Sequence, residues 1–260
     1  MQDLVTLARR LRLGRYELAE AALISTALPL YYLLRGIVPV DADAAIERGR
    51  DLASLEDSLG IFWEAELQEL VLPAGWFTDI LNQLYLYWHL PVIGVVALWL
   101  YIRSRGDYLF MRNAFLISAA LALCVYAAAP VAPPRLLPEF GFVDTITEQY
   151  DTQRPGTPGV FVNHYAAVPS LHFGWNALAG VMPLAVARNV WTYAFAVAMP
   201  VITLASIVLT ANHFFLDAAA GALAVILGAA AAFLVRERLA RGARGWAGWL
   251  AGNPPDAEGA

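Results

Sequence analysis

The stretch Asn212-His-Phe-Phe-Leu-Asp217 opens an apolar run that continues to about Val235, with Asp217 as its only charged residue. A run of this length can cross a lipid bilayer as a helix. His213 and Asp217 are four residues apart, so a helix places them on one face, one turn apart. Ionisable groups in such segments are costly unless they are paired or functional. The stretch therefore predicts a transmembrane helix with a functional site at its start.

A second stretch, Tyr165-Ala-Ala-Val-Pro-Ser-Leu-His172, also stands at the edge of an apolar segment. Pro169 suits the first turn of a helix, and Ser170 offers a hydroxyl beside the free N–H groups found there. A helix start of this kind suits an anion such as phosphate. Together the two stretches hold two of the four histidines of the chain. We expect them to form one catalytic site at a membrane surface.

The composition indicates an all-α, polytopic membrane protein. Of 260 residues, 59% are hydrophobic and 15% are charged, whereas a soluble domain carries about a quarter charged residues. Apolar runs recur along the chain, and no linker or repeat divides it into separate domains. The single cysteine, Cys124, excludes an intrachain disulfide. All seventeen basic residues are arginine, which excludes a lysine Schiff base and a P-loop lysine.

Six membrane-spanning helices are expected, and the apolar runs place them at about 18–40, 76–102, 110–129, 169–186, 190–209 and 213–235. In the second span, His89-Leu-Pro91 is expected to interrupt the helix.

Residues 41–73 carry leucines at helical spacing with acidic residues between them, and are too polar to span. They predict an extra amphipathic, interfacial segment of two short helices separated at Gly60. Two roles fit this segment equally: a cap over the bundle, or a guide for substrate.

The arginines predict the topology. Twelve lie on the side of both termini and five on the other side, which places both termini in the cytoplasm. We expect a basic lead-in at 1–16, a catalytic membrane domain at 17–240 with an active-site loop at 130–163, and a disordered tail at 241–260. The first span is expected to act as a signal anchor. Arginine-only basic usage and alanine richness suggest a bacterial plasma membrane, with the site on the extracytoplasmic face.

The candidate residues point to phosphoryl transfer. Asp217 can accept the ring N–H of His213, which leaves the other ring nitrogen as a nucleophile or base. His172 can protonate a leaving oxygen, while Arg135 offers a planar, permanently charged fork to phosphate oxygens. A nucleophilic histidine, an acid and a cationic clamp make a phosphoryl-transfer site without metal.

The same residues resemble a known family. Pro169-Ser-Leu-His172 and the downstream His213-x-x-x-Asp217 resemble two signature motifs of the type 2 phosphatidic acid phosphatase (PAP2) superfamily. Ala132-Pro-Pro-Arg135 and Asn163-His-Tyr look like its inositolphosphotransferase branch. The resemblance implies a six-helix membrane fold and a phosphohistidine intermediate, with no metal or other cofactor. It also implies that His213 is the nucleophile, Asp217 its orienting partner and His172 the general acid.

The chain departs from the phosphatase pattern of this superfamily, KxxxxxxRP, PSGH and SRxxxxxHxxxD. It has no lysine, PSGH is PSLH, and Ile207 follows Ser206 where an arginine is expected. Two phosphate-binding cations are therefore missing, so Arg135 and Arg154 must contribute more. This favours the transferase-like branch, with a lipid phosphate or phosphodiester as donor and an inositol-type alcohol as a possible acceptor. A phosphohistidine can also be discharged by water, so hydrolysis alone stays open.

Other interpretations stay open at these residues. His172 and His213 also fit structural polar contacts, or two ligands of a metal site completed by Asp217. Arg135 also fits an anchor to lipid headgroups, and Arg154 a solvated loop charge. His89 fits either a substrate-headgroup contact or an interfacial histidine. Tyr165 and Asn212 flank the histidines and are expected to position them.

The leading hypothesis is a membrane enzyme, a phosphotransferase or a lipid phosphate phosphatase, with membrane lipids and no nucleic acid as partners. The rival hypothesis is a non-catalytic membrane protein that binds or transports lipid.

Overall fold

The computed structural model describes residues 14–149 and 163–240, and these are helical apart from turns, loops and one isolated β-bridge. A π-helical segment, Leu84–Trp88, joins the helix that ends at Gln83 to the helix that begins at His89. The α-helices are α1 Arg15–Ile37, α2 Ala42–Ser58, α3 Glu64–Val71, α4 Gly75–Gln83, α5 His89–Arg103, α6 Arg105–Ala128, α7 Thr145–Gln149, α8 Leu171–Val181, α9 Val190–Leu209 and α10 Phe215–Ala240.

Within the described residues, five helices are long and apolar enough to cross a membrane, so the chain is a membrane protein. They are Tyr16–Ile37, Gly75–Arg103, Arg105–Ala128, Val190–Leu209 and Phe215–Glu237. These correspond to five of the six expected spans. The expected span at 169–186 is instead the 11-residue helix α8, followed by a 3₁₀ turn at Met182–Ala185. Pro183, which lacks a backbone N–H, lies in this turn, where the α-helix has already ended.

The second span is one helical rod of 29 residues rather than two pieces. The helix is not interrupted at His89-Leu-Pro91, where the sequence predicts a break, since these residues form the first turn of α5; the irregularity is the π-helical segment Leu84–Trp88 just before them. Because proline cannot donate to the helical ladder, a local change in hydrogen bonding one turn earlier is an ordinary way to keep the helix continuous.

The acidic segment after the first span forms α2 and α3. Asp41 caps α2 by accepting the Ala44 N–H at 3.1 Å, and Gly60 has a φ of +70°, a left-handed conformation that favours glycine. The expected break at Gly60 is therefore confirmed. The polar residues of these helices do not all face outward, because three of them are buried: Glu56, Glu64 and Gln68.

Helix α8 lies at the centre of the bundle, where it packs against α9 and α10. The approach to α10 is so close that a Cβ on Gly221 would lie 2.0 Å from the Ser170 carbonyl oxygen. A Cβ on Gly228 would lie 2.6 Å from the Ala114 carbonyl oxygen of α6. The Ala- and Gly-rich composition of α10 therefore serves close helix packing.

The loop after α6 returns to the bundle beside the start of α8. Val131 and Ala166 form an isolated parallel β-bridge, and the Val131 N–H donates to the Tyr165 carbonyl at 2.8 Å. Two 3₁₀ turns, Pro134–Leu136 and Pro138–Phe140, follow and lead to α7. The basic lead-in before residue 14, the tail after 240 and Arg154 lie outside the described residues.

Candidate active site

The starts of α5, α8 and α10 meet the loop around a cavity of about 190 Å³. All four histidines of the chain line it, together with two arginines and several other polar side chains. Of the residues predicted from the sequence, the cavity brings together His89, Arg135, His172, Asn212 and His213.

His213 is held by Asp217 in the expected way. Its Nδ1 lies 3.1 Å from Asp217 Oδ2, and the same oxygen accepts the Phe214 N–H at 3.0 Å. Both side chains are buried, and Asp217 is fully so. The opposite ring nitrogen, Nε2, is buried and has no hydrogen-bond partner among the described residues. The residue therefore presents an unpaired ring nitrogen, while its other nitrogen is fixed by a carboxylate.

The first turn of α10 is capped by residues far away in the sequence. The Phe215 N–H donates to Glu64 Oε1 at 3.0 Å, and the Leu216 N–H donates to Glu56 Oε1 at 2.6 Å. These are two of the N–H groups that a helix leaves unpaired at its start. Burial raises the pKa of Glu56 to about 9, and a hydrogen bond with Glu64 is the second-largest cause of this increase. Glu56 is therefore protonated at neutral pH.

His172 lies in the first turn of α8, among aromatic rings. Its ring stacks on Tyr85 with 4.6 Å between centroids, and the His89 ring lies 4.3 Å away in an edge-on arrangement. The centroids of His172 and His213 are 5.8 Å apart. This separation is close enough for both rings to reach one phosphate group in the cavity.

Arg135 is anchored rather than free. Its Nε donates to Asn212 Oδ1 at 3.0 Å, one Nη donates to Asp144 Oδ2 at 3.1 Å, and its backbone N–H donates to the Ala211 carbonyl at 2.8 Å. The Asn212 amide in turn donates to Thr210 Oγ1 at 2.7 Å. Asn212 thus joins Arg135 to the turn that carries His213, and Asp144 neutralises much of the arginine's charge.

Ser170 and Tyr165 do not line the cavity in the described part of the chain. The Ser170 hydroxyl caps α8 by accepting the Phe173 N–H at 3.5 Å, and its backbone N–H donates to the Asp217 carbonyl at 2.9 Å. The Tyr165 N–H donates to Asn163 Oδ1 at 2.9 Å. Both residues therefore hold the local backbone beside the site. The predicted contact of Ser170 with phosphate and the predicted positioning role of Tyr165 remain predictions.

The cavity residues missed by the sequence reasoning include Tyr32, Arg35, Tyr85 and His164. Signals for three of them were present. Tyr85 precedes His89 by one helical turn, His164 belongs to the same stretch as His172, and Arg35 is the single basic residue of an apolar run. Burial, with the nearby positive charges of Arg135 and Arg35, lowers the pKa of His164 to about 4, so this loop histidine is neutral at physiological pH.

The facial-triad alternative calls for at least three side chains around one metal ion. Within residues 14–149 and 163–240, no group of three or more histidine, cysteine, aspartate or glutamate side chains is arranged to hold a metal ion. Asp217 contacts His213 rather than a point between the two histidines.

The comparisons with known proteins agree with the motifs. The family model described as the PAP2 superfamily matches residues 50–231 of the 260. Comparison with curated proteins and with solved structures gave no match. The matched range covers most of the chain and includes both histidine stretches. The chain therefore belongs to the PAP2 superfamily.

Proposed function

We propose that this protein is an integral-membrane phosphotransferase that acts on a lipid phosphate or phosphodiester through a phosphohistidine at His213. Membership of the superfamily points to phosphatase or phosphotransferase activity. One observation carries the proposed mechanism: within residues 14–149 and 163–240, His213 Nε2 is buried beside the cavity without a hydrogen-bond partner, while Nδ1 is held by Asp217.

In the first step, the Nε2 lone pair of His213 attacks phosphorus. A P–N bond forms, and the P–O bond to the leaving group breaks. His172 donates a proton to the leaving oxygen, which departs as an alcohol. Asp217 stabilises the positive charge that develops on the His213 ring, because its carboxylate accepts the Nδ1–H.

In the second step, an acceptor hydroxyl discharges the phosphohistidine. His172, now neutral, removes the hydroxyl proton, the new O–P bond forms, and the P–N bond breaks. His213 and His172 then return to their starting states. An inositol-type alcohol is the acceptor that the branch resemblance favours, and water in the same position gives hydrolysis. Arg135, Asn212 and His89 line the same cavity and are placed to position the substrate.

A groove on the other face of the second span supports a lipid as donor. Tyr85 and His89 face the cavity, whereas the neighbouring side chains of the same helix line an apolar groove of about 630 Å³. Because the two faces belong to one helical segment, an acyl chain in the groove lies about one helix diameter from the site. The groove is lined by residues that include Ile80, Leu84, Tyr87, Trp88, Pro91, Val92, Val95 and Phe195.

The proposal includes six crossings, with α8 as the short one. Helices α8 and α10 begin side by side, since the Ser170 N–H donates to the Asp217 carbonyl. Helix α9 ends at Leu209, beside that point, so it begins on the opposite side of the bundle. The chain from Leu171 to Asn189 must cover the same distance as α9 in the reverse direction. Arginine placement then puts both termini in the cytoplasm and the site outside a bacterial plasma membrane, with α2 and α3 along its surface.

The test is turnover by purified protein in detergent. A panel of lipid phosphates and phosphodiesters is incubated with and without inositol, and the products are identified by mass spectrometry. We expect transfer or release of the phosphate-bearing group in the wild type. His213→Ala and His172→Ala should each abolish it, because one removes the nucleophile and the other the proton donor.

Asp217→Asn should reduce turnover at least tenfold, and Asp51→Asn, at an exposed position on α2, is its matched control. Retained turnover in His213→Ala would falsify the phosphohistidine. Lipid binding without turnover on any substrate would favour the non-catalytic alternative. Loss of activity with a chelator that added metal restores would favour the metal-site alternative.

A further inference from the structure

The first span delivers a second arginine to the cavity. Arg35 lies in the last turn of α1 and lines the same cavity as Arg135, His172 and His213. Residue 35 precedes the range 50–231 that matches the superfamily, so the family motifs do not include it. Its presence at the site follows from the fold of this chain.

The position of Arg35 is fixed by the loop that leads to α8. The Asn163 side-chain amide donates to the Arg35 carbonyl at 3.1 Å, and one Arg35 Nη donates to the Asn163 carbonyl at 3.4 Å. The guanidinium carbon also lies 5.9 Å from the centre of the Tyr126 ring. These contacts hold the end of α1 beside His164 and the start of the catalytic stretch.

Within the described residues, the Arg35 guanidinium has a donor without an acceptor and no negatively charged partner. Its Nε is buried without a hydrogen-bond partner, and in the described part of the chain no carboxylate forms an ion pair with it. Arg135 differs, because it is paired with Asp144 and bonded to Asn212. Of the two arginines at the cavity, Arg35 is therefore the one whose charge is not already neutralised by a described carboxylate.

A bound phosphate group would supply the negative charge and the acceptor oxygens that Arg35 lacks. A half-buried, permanently charged guanidinium is unfavourable without a partner, and its planar fork matches two oxygens of one phosphate. We propose that Arg35 is the principal phosphate-binding cation of this site and contacts the non-bridging oxygens of the substrate while His213 attacks phosphorus. This inference rests on the proposed function. It also supplies a cation where Ile207 and the absence of lysine leave the superfamily pattern incomplete.

The test measures binding of inorganic phosphate to the intact protein in detergent, by calorimetry and by phosphate-dependent melting at constant ionic strength. We expect Arg35→Gln to weaken phosphate affinity about tenfold or more. Arg35→Lys should weaken it less, because lysine keeps the charge and loses the fork. Arg50→Gln is the matched control, since the Arg50 side chain is 44% exposed and pairs with Glu47 and Glu139. Its phosphate affinity should equal that of the wild type.

Phosphate affinity within twofold of the wild type in Arg35→Gln overturns the inference, as does a wild type that binds no phosphate. If Arg35→Gln does not fold, Arg35→Lys decides, and an unchanged affinity in that variant overturns it. The assay needs no turnover, so the two proposals fail separately. Arg35-dependent phosphate binding in a protein without turnover overturns the phosphotransferase and leaves this inference standing, whereas turnover with Arg35-independent binding does the reverse.

Discussion

Helices α8 and α10 both begin at the cavity, but their first turns are held by different means. His172 lies in the first turn of α8, whereas His213 lies two residues before the start of α10. The start of α8 is capped locally by Ser170, three residues before the N–H that it accepts. The start of α10 is capped by Glu64 and Glu56, which precede their partners by 151 and 160 residues. One histidine is thus positioned by its own stretch, and the other depends on α2 and α3.

Helix α3 and the neighbouring α4 also hold the loop that carries Arg135. The Gln68 side chain makes two hydrogen bonds to the backbone of Val143, at 2.9 and 3.0 Å. Thr145 Oγ1 donates to Asn82 Oδ1 at 3.1 Å. The segment 41–73 therefore braces both the nucleophile's helix and the cation's loop, which favours its role as a cap over its role as a guide for substrate.

The largest effect is expected where the two helix starts touch. In Gly221→Ala, the new methyl group meets the Ser170 carbonyl oxygen at 2.0 Å, so α8 and α10 must move apart. We expect a loss of about 3 kcal/mol in unfolding free energy and no measurable turnover, because both histidines shift relative to one another. Chemical denaturation and the lipid assay measure the two effects.

Gly94→Ala is the matched control for this substitution, because a Cβ at Gly94 meets nothing within 4 Å. It should keep full turnover and gain about 0.5–1 kcal/mol, since alanine favours a helix interior over glycine. Full activity in Gly221→Ala would show that the contact between the helix starts does not set the site.

Sequence reasoning reached the local part of this site and missed the long-range part. The pairing of His213 with Asp217 was predicted from their spacing, and the contact is present, although α10 begins at Phe215, two residues after His213. Glu56 and Glu64 look like the solvent face of an amphipathic segment, since their partners are backbone N–H groups that any sequence possesses. Arg35 looked like a flanking charge for a similar reason, because its neighbours come from another part of the chain.

The membrane helices show the same division. The span expected at about 190–209 agrees with the helix Val190–Leu209, whose start is fixed by a capping box of Asn189 and Thr192. Helix α8 is shorter than its apolar run suggests. Its neighbours bury it at the bundle centre, so its own sequence does not need to match a bilayer.

The cap that Glu56 and Glu64 form on α10 should make the stability of the protein depend on pH, and Glu56→Gln tests this. Burial and the hydrogen bond with Glu64 raise the pKa of Glu56 to about 9 from a usual value of 4.5. The folded protein therefore holds a proton that the unfolded chain releases above about pH 4.5. Stability from this group is complete below pH 4.5, falls as pH rises, and is lost by about pH 9. Glutamine keeps a donor and an acceptor without titrating, so the variant's melting temperature should fall less over that range.

Asp57→Asn, at the exposed neighbouring position on α2, controls for the loss of a carboxylate. Its melting temperature should follow the wild type from pH 5 to pH 9. Identical pH profiles for the wild type and Glu56→Gln would mean that Glu56 does not carry the extra proton. The Glu56 and Glu64 carboxyl groups that cap α10 would then both be ionised.

Substitution of Ser170, which caps α8, is expected to have the smallest effect on stability. It also separates two possible roles of this residue. As an N-cap, it should cost about 1 kcal/mol on substitution by alanine but only a few tenths on substitution by glycine, whose backbone suits the cap position. As a phosphate ligand, it should lose the same substrate affinity in both variants, since both lack the hydroxyl. Because the hydroxyl accepts the Phe173 N–H and does not line the cavity, we expect Ser170→Ala to be less stable than Ser170→Gly with similar KM values near that of the wild type. Equal stabilities with a raised KM in both variants would instead place the hydroxyl on the phosphate, and the start of α8 would then be set by packing against Gly221.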